Sequence, residues 1–458
     1  METSITKQQL FSKEDLKKLI IPLLFEQALA ITVGMADTVM ISSAGEAAVS
    51  GVSLIDMFNN LIISVLAALA TGGAVVTSQF LGAGKKEDAC KSAKQLIVSS
   101  VCITIGISIL VMVFCNGIIS LFFGKIEADV FHNAVIYMMI SALSFPFLAL
   151  YNSCAALFRS MGNSQITLKV SVVENIINIG GNALCVYVLG LGVAGVAIPS
   201  LISRAVAGFI LYHLLKNPSN EVRLLKESFH IDWPVIHKIF YIGIPSGIEN
   251  GIFQLGRVIV VSIIAGFGTV QIAANGVANS LDSMGCIVGQ AMNLAMITVI
   301  GRCVGAGDSG QVRYYTKKLL KITYLCTFMV NSVILLCLSW ILKCYGLSPE
   351  TTQLSYILVM IHNGMAMFLW PGAFFLPSFV LPNMLRACND VRFTMVLSIF
   401  SMFVFRIGFS YIIGVNMGYG AIGVWIAMVL DWIFRVICFV SRYLSGHWLK
   451  TAGLQDNR

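Results

Sequence analysis

Asp37 stands in GMADTVMIS, a lone carboxylate among apolar and small residues, and three carboxamides, Asn175, Asn178 and Asn182, recur at spacings of three and four in ENIINIGGN. That spacing puts the amides on one face of a helix. A carboxylate, carboxamide oxygens and the hydroxyl of Ser200 are hard oxygen donors of the kind a small hard cation accepts, and a carboxyl withdrawn from water can instead hold a proton. Glu26 lies eleven residues before Asp37. Three helical turns separate the two, so they share one side of a helix. Glu26 in IPLLFEQ and Glu249 in IPSGIEN each follow a proline by four residues. Such duplicated acids suit either a cationic ligand or gate, with Gln254 and Asn175 as further polar contacts, or the fixing of helix geometry near a kink. A third group comprises Asp282 and Asp431 with Arg257, Arg406 and Arg435; Arg257, Arg406, Asp431 and Arg435 are expected to form structural ion pairs.

These charges are exceptions in their chain. Its 458 residues are 57% hydrophobic and 11% charged, with a mean hydropathy of +0.85, whereas soluble domains are about 25% charged. A soluble enzyme, a disordered chain and a nucleic-acid binder are excluded, leaving an all-α polytopic membrane protein whose first partner is the lipid bilayer. An ionisable group in mid-span costs roughly 2.5–3.5 kcal/mol on insertion scales, so each needs a partner or a purpose. Breaking the chain at polar punctuation gives twelve apolar segments, near 16–42, 51–80, 92–121, 132–158, 166–188, 192–215, 236–266, 273–302, 315–342, 352–384, 393–415 and 420–444. An even number puts both termini on one side. Taking that side as cytoplasmic places 24 of the 30 Lys and Arg on inner flanks and two, Lys125 and Lys343, outside, which is the positive-inside pattern of an inner-membrane protein. The net charge of +8 is then an orientation signal. The 12 cysteines form no CxxC pair and read as small buried hydrophobes. Residues 1–15 are polar and carry no cleavable leader. No cofactor or metal is expected beyond a coupling ion.

The chain also repeats itself. IPLLFEQ (21–27) answers IPSGIEN (244–250) and LGAG (81–84) answers VGAG (304–307), both at an offset of 223; ALFRSMGNSQITLKVS (156–171) answers NMLRACNDVRFTMVLS (383–398) at 227, and GLGVAG (190–195) answers GYGAIG (418–423) at 228. Two six-helix bundles are expected, 1–215 and 236–458, joined by a polar cytoplasmic loop, 216–235. Six helices per copy makes the copies parallel, related by a pseudo-twofold along the membrane normal, a design typical of secondary transporters.

With the opening IP and its downstream acid, Asp37, the QFLGAG and GRCVGAGD helix ends and the paired Arg segments after the fourth and tenth helices, the chain resembles the multidrug and toxic compound extrusion (MATE) family. The resemblance implies a V-shaped pair of bundles with a central cleft that expels small organic cations or drugs in exchange for Na⁺ or H⁺ by alternating access, with Asp37 and Asn178 on the family's first-lobe cation pattern. Family members with a well-formed Na⁺ site tend to have Asp where this chain has Asn182, which weakens the Na⁺ reading and favours direct protonation of Asp37. The second-half equivalent of Asp37 is Val260, so the acid is no requirement of the fold. The first half holds Glu26, Asp37, Asp56 and Glu174 against Arg204 alone, while the second balances three acids with three arginines. Acids in the seventh and tenth helices would mark a second-lobe cation site; Gln254 and Phe374 stand there instead, and His362 reads as a lone structural residue. The expectation is a monomeric antiporter coupled at Asp37, Asn178, Asn182 and Ser200. A lipid-linked precursor flippase of the same superfamily is the alternative, and no HExxH, GxSxG or nucleotide-loop motif supports an enzyme.

Overall fold

The computed structural model describes residues 9–42, 45–124, 126–224, 230–364 and 376–455. Among them every regular element is helical. The first half contains α1 (Lys13–Ser42), α2 (Glu46–Gly82), α3 (Lys86–Val113, resumed as Cys115–Phe123), α4 (Ala128–Ser160), α5 (Ser164–Ala183, extended by a π-helical turn Leu184–Val188) and α6 (Ala194–Leu214). The second contains α7 (Trp233–Ala265), α8 (Thr269–Gly285 and Ile287–Gly305), α9 (Ser309–Cys344), α10 (Pro349–Val359 with a π turn Met360–Gly364, resumed as Leu376–Ala387), α11 (Val391–Ser401, π-helical through Met402–Gly408 and Ser410–Asn416) and α12 (Gly420–Leu444). A short α13 (His447–Ala452) follows. These elements fall on the twelve apolar segments. Phe374 lies outside the described residues.

The first and last described stretches, near Phe11 and Trp448, lie at one face. The Phe11 backbone exchanges hydrogen bonds with the Tyr315 hydroxyl at the start of α9, donating at 3.0 Å and accepting at 2.8 Å, and Arg313 lies over the Trp448 ring of α13 at 5.9 Å. At this termini face the halves meet about the expected twofold. Gly82 of α2 lies against the backbone of Arg302, and Gly305 of α8 against the backbone of Gln79; a Cβ at either glycine would stand 2.0 or 1.9 Å from the facing carbonyl oxygen. Each pair is the other shifted by 223 residues. The side chains repeat the relation. Gln79 Nε2 donates to the Ala387 carbonyl at 3.0 Å, and Arg302 Nε donates to the equivalent carbonyl of Ser160, also at 3.0 Å. Only residues without side chains let two helices approach this closely, the packing that membrane interfaces use in place of a hydrophobic drive.

The same stripe continues where Gly72 packs on the backbone of Ile239 and Gly243, and Gly251 reaches Leu61 of α2. Beyond that point α2 turns to its own half: Gly51 lies on Val130, Asn133 and Ala134 of α4, and Asn59 donates to Ser141 at 3.2 Å. The halves therefore close at the termini face and part toward the other, giving a V with a central cleft. Among the described residues, nine helices are long and apolar enough to span a bilayer. α5 is not one of them, because its Asn face and Glu174 dilute its hydropathy.

Candidate functional site

Inside the first half, α1, α5 and α6 bring four of the polar residues named above into one hydrogen-bonded chain. Asn182 Nδ2 donates to Asp37 Oδ1 at 2.7 Å and to Asn178 Oδ1 at 3.3 Å. Asn178 Nδ2 donates to Ser200 Oγ at 2.9 Å, and Ser200 Oγ donates to the Val196 carbonyl. The spacing of four along α5 makes the Asn178–Asn182 contact possible, and the contact of α1 with α5 supplies Asp37. Asn182 is fully buried, and its own Oδ1 has no hydrogen-bond partner among the described residues. A buried carbonyl oxygen left unpaired is costly, and here it borders a carboxylate that has no ion pair among the described residues. Asn175 stands apart from this chain, its Nδ2 donating to Ser171 Oγ at 3.5 Å.

Nearby charge in this half is predominantly acidic. Asp56 accepts from the Tyr137 hydroxyl at 2.9 Å, Arg204 donates to Ser144 Oγ at 2.7 Å, and neither forms an ion pair among the described residues. Glu26 leaves the acid tally. It pairs with Arg159 of α4 at 2.5 Å and accepts from Thr167 at 2.9 Å. Glu249 does the same in the second half, with Arg386 at 2.6 Å and Ser398 at 2.6 Å. By sequence position Arg159 and Arg386 belong among the 24 inner-flank charges. They lie near the termini ends of α4 and α10, close enough to reach inward to the acids four residues past the prolines. Both acids are thus engaged with fixed partners instead of facing the cleft bare.

In the second half, Asp431 is the acid shared by two of the expected ion-pair partners, Arg435 and Arg406. Asp431 is held by Arg435 at 2.9 Å, also accepts from Ser401, and lies 3.9 Å from Arg406. His362 is no lone residue: its Nδ1 meets Asp282 Oδ1 at 2.6 Å, and its ring lies on Trp432 with centroids 4.1 Å apart. Arg257, expected to join the structural ion pairs, has none among the described residues. With Glu249 taken by Arg386, three arginines remain beside two aspartates. Gln254 bridges the halves, donating to Ser64 Oγ of α2 at 3.0 Å. Sequence spacing missed His362–Asp282 and both Glu–Arg pairs because each joins separate helices; the paired recurrence of Glu and Arg at offsets 223 and 227 was the available signal.

Two like helical halves packed through glycines at one face, diverging toward the other and carrying a polar cluster among their helices, define a two-lobed membrane transporter. The chain belongs to the MatE family, whose model matches twice, over residues 22–184 and 245–412. It is 28% identical to the uncharacterized transporter YisQ of Bacillus subtilis, with 97% of this chain and 99% of that protein covered. It is 24% identical to the probable multidrug resistance protein NorM of Thermotoga maritima, over 97% of this chain and 95% of that one. An outward-facing multidrug resistance MATE family transporter of the MOP superfamily superposes with a TM-score of 0.85 at 20% identity, covering 95% of this chain and 96% of that one.

Proposed function

We propose that the chain is a secondary antiporter of the inner membrane that exports small organic cations or drugs in exchange for H⁺ or Na⁺ by alternating access, its two lobes being 1–215 and 236–458. The observation that carries this reading is the continuous chain Asp37–Asn182–Asn178–Ser200. It gathers an unpaired carboxylate and hard oxygens at one point of the first lobe. The Asn182 carboxamide offers either edge: its NH₂ holds an ionised, ion-free Asp37, and a half-turn about its last torsion would present its unpaired oxygen to Na⁺. Proton binding needs only Asp37. The coupling ion drives transport to the extent that it binds the two facing states unequally.

The Lys and Arg distribution supports a cytoplasmic termini face, so the V opens outward. The lobes act as one monomer, without a cofactor. Efflux of a fluorescent organic cation is measured in inverted vesicles energised separately by a Na⁺ gradient and a pH gradient. One gradient should drive uptake into the vesicles, and Asp37→Asn should abolish it without lowering membrane expression. Uptake that answers to neither gradient, or that survives Asp37→Asn, overturns the proposal.

A further inference from the structure

We infer that the second lobe carries a binding site for the anionic group of an organic molecule, in a cavity where Arg257 is the principal ligand. The cavity, about 400 Å³, lies among α7, α8, α11 and α12 and reaches Ser64 of α2, so it opens on the junction of the lobes. Its wall holds Arg257 and Arg406, the carboxamides of Gln254 and Asn279, and the rings of Phe253 and Trp432.

Charge decides its chemistry. The one acid in the wall, Asp282, is already engaged by His362 at 2.6 Å. Asp431, behind the wall, is claimed by Arg435 at 2.9 Å. Among the described residues Arg406 Nη1 makes no hydrogen bond, and it stands 3.9 Å from Asp431, beyond hydrogen-bond reach. Its guanidinium is instead held over Phe253 at 5.1 Å and Trp432 at 5.9 Å. Arg257 is exposed into the cavity with no ion pair among the described residues. It lies eight residues before the end of α7 at Ala265, roughly 12 Å inside by helical rise, too deep to be a flanking charge. An arginine at such depth is retained for a partner or a purpose, and its planar fork matches a carboxylate, sulfonate or phosphate. Carboxamide donors and aromatic walls complete a site for an aromatic molecule bearing one such group.

This inference goes beyond the efflux reading and does not depend on the coupling ion. A substrate with both charges can use it, whereas a purely cationic drug must lie away from Arg257. The test is equilibrium binding, without a gradient, to the full chain in phosphatidylcholine nanodiscs, with empty nanodiscs subtracted. The probes are rhodamine B and its ethyl ester, which share the xanthylium cation and differ only in a free carboxylate. Rhodamine B should bind more tightly, and Arg257→Gln should weaken it about ten- to a hundredfold, as loss of a charged hydrogen bond implies, while leaving the ester unchanged. Arg257→Lys should restore part of the difference. Equal binding of acid and ester, or equal weakening of both by Arg257→Gln, overturns the inference. Adding phosphatidylglycerol separates two sources of the same chemistry: competition makes a lipid phosphate an occupant, its absence leaves the site to soluble anions, and either result upholds an anion site. Failure here leaves the Asp37 experiment untouched.

Discussion

The twofold glycine contact between α2 and α8 makes alternating access testable through Gly82→Ala. The added Cβ would lie 2.0 Å from the Arg302 carbonyl oxygen, against about 3.3–3.6 Å for a relaxed carbon–oxygen contact. The lobes must therefore separate by roughly 1.3 Å or more at this point, because a backbone carbonyl inside a helix cannot swing aside. Overpacking of this kind costs about 1–3 kcal/mol. The penalty falls only on the state in which the lobes close at the termini face. The equilibrium between facing states should then move about five- to a hundred-and-fiftyfold toward the opposite one. Gly305→Ala should act alike, since its Cβ would meet the Gln79 oxygen at 1.9 Å. The double variant should cost less than the two singles added, because the separation that relieves one clash relieves the other. Hydrogen–deuterium exchange of peptides covering 76–84 and 299–307, with the protein in nanodiscs, reads the separation directly. Faster exchange in both peptides from either single variant is expected. Unchanged exchange with normal folding would refute the claim that this contact is the closed gate.

Removing one partner of a buried ion pair costs about 3–5 kcal/mol, while removing both is often neutral. Glu249→Gln should accordingly lower the melting temperature in detergent, and Glu249→Gln with Arg386→Met should recover most of the loss. A single variant as stable as its parent would show that the pair holds nothing together. Asn182→Asp places a second carboxylate beside Asp37, and the added charge should strengthen Na⁺ binding by at least about tenfold, using about 1.4 kcal/mol per decade. Isothermal titration of Na⁺ into both proteins checks this, and equal affinities would remove Asn182 from the ion path.

Much of this architecture was readable in the chain. Apolar runs gave the number of helices, and the repeated IP, GAG and Arg segments gave the two halves. Spacing of three and four along α5 predicts one face for its amides, and the hard-oxygen donor types single out Asp37, Asn178, Asn182 and Ser200, which the structure links in one hydrogen-bonded chain. Pairings between remote helices were not readable in the same way. Arg159 and Arg386 sit where a flanking charge belongs, and nothing local tells a solvated flank from a side chain folded inward onto Glu26 or Glu249. His362 and Asp282 meet across α8 and α10, near the π turn at Met360–Gly364, a helix irregularity that periodicity does not encode.

The duplication itself separates framework from function. Residues that hold the fold recur: Glu26 and Glu249, Arg159 and Arg386, Gly82 and Gly305, and Gly162 and Asn389, both with positive φ where α4 and α10 end. Residues of the candidate sites do not. At the same offsets, Asp37, Asn178, Asn182 and Ser200 correspond to Val260, Phe405, Phe409 and Met428, whereas Arg257, Arg406 and Arg435 correspond to Gly34, Ile179 and Ala207. At these seven positions one lobe has a polar or charged residue where the other has an apolar one or glycine. A framework duplicated for packing alone would tolerate apolar residues at all of these positions, and each unpaired charge adds an insertion cost of roughly 2.5–3.5 kcal/mol. Keeping surplus acids in one lobe and surplus arginines in the other is thus an expense that the fold does not require. It is consistent with a division of labour in which the first lobe handles the driving cation and the second meets the opposite charge of the cargo.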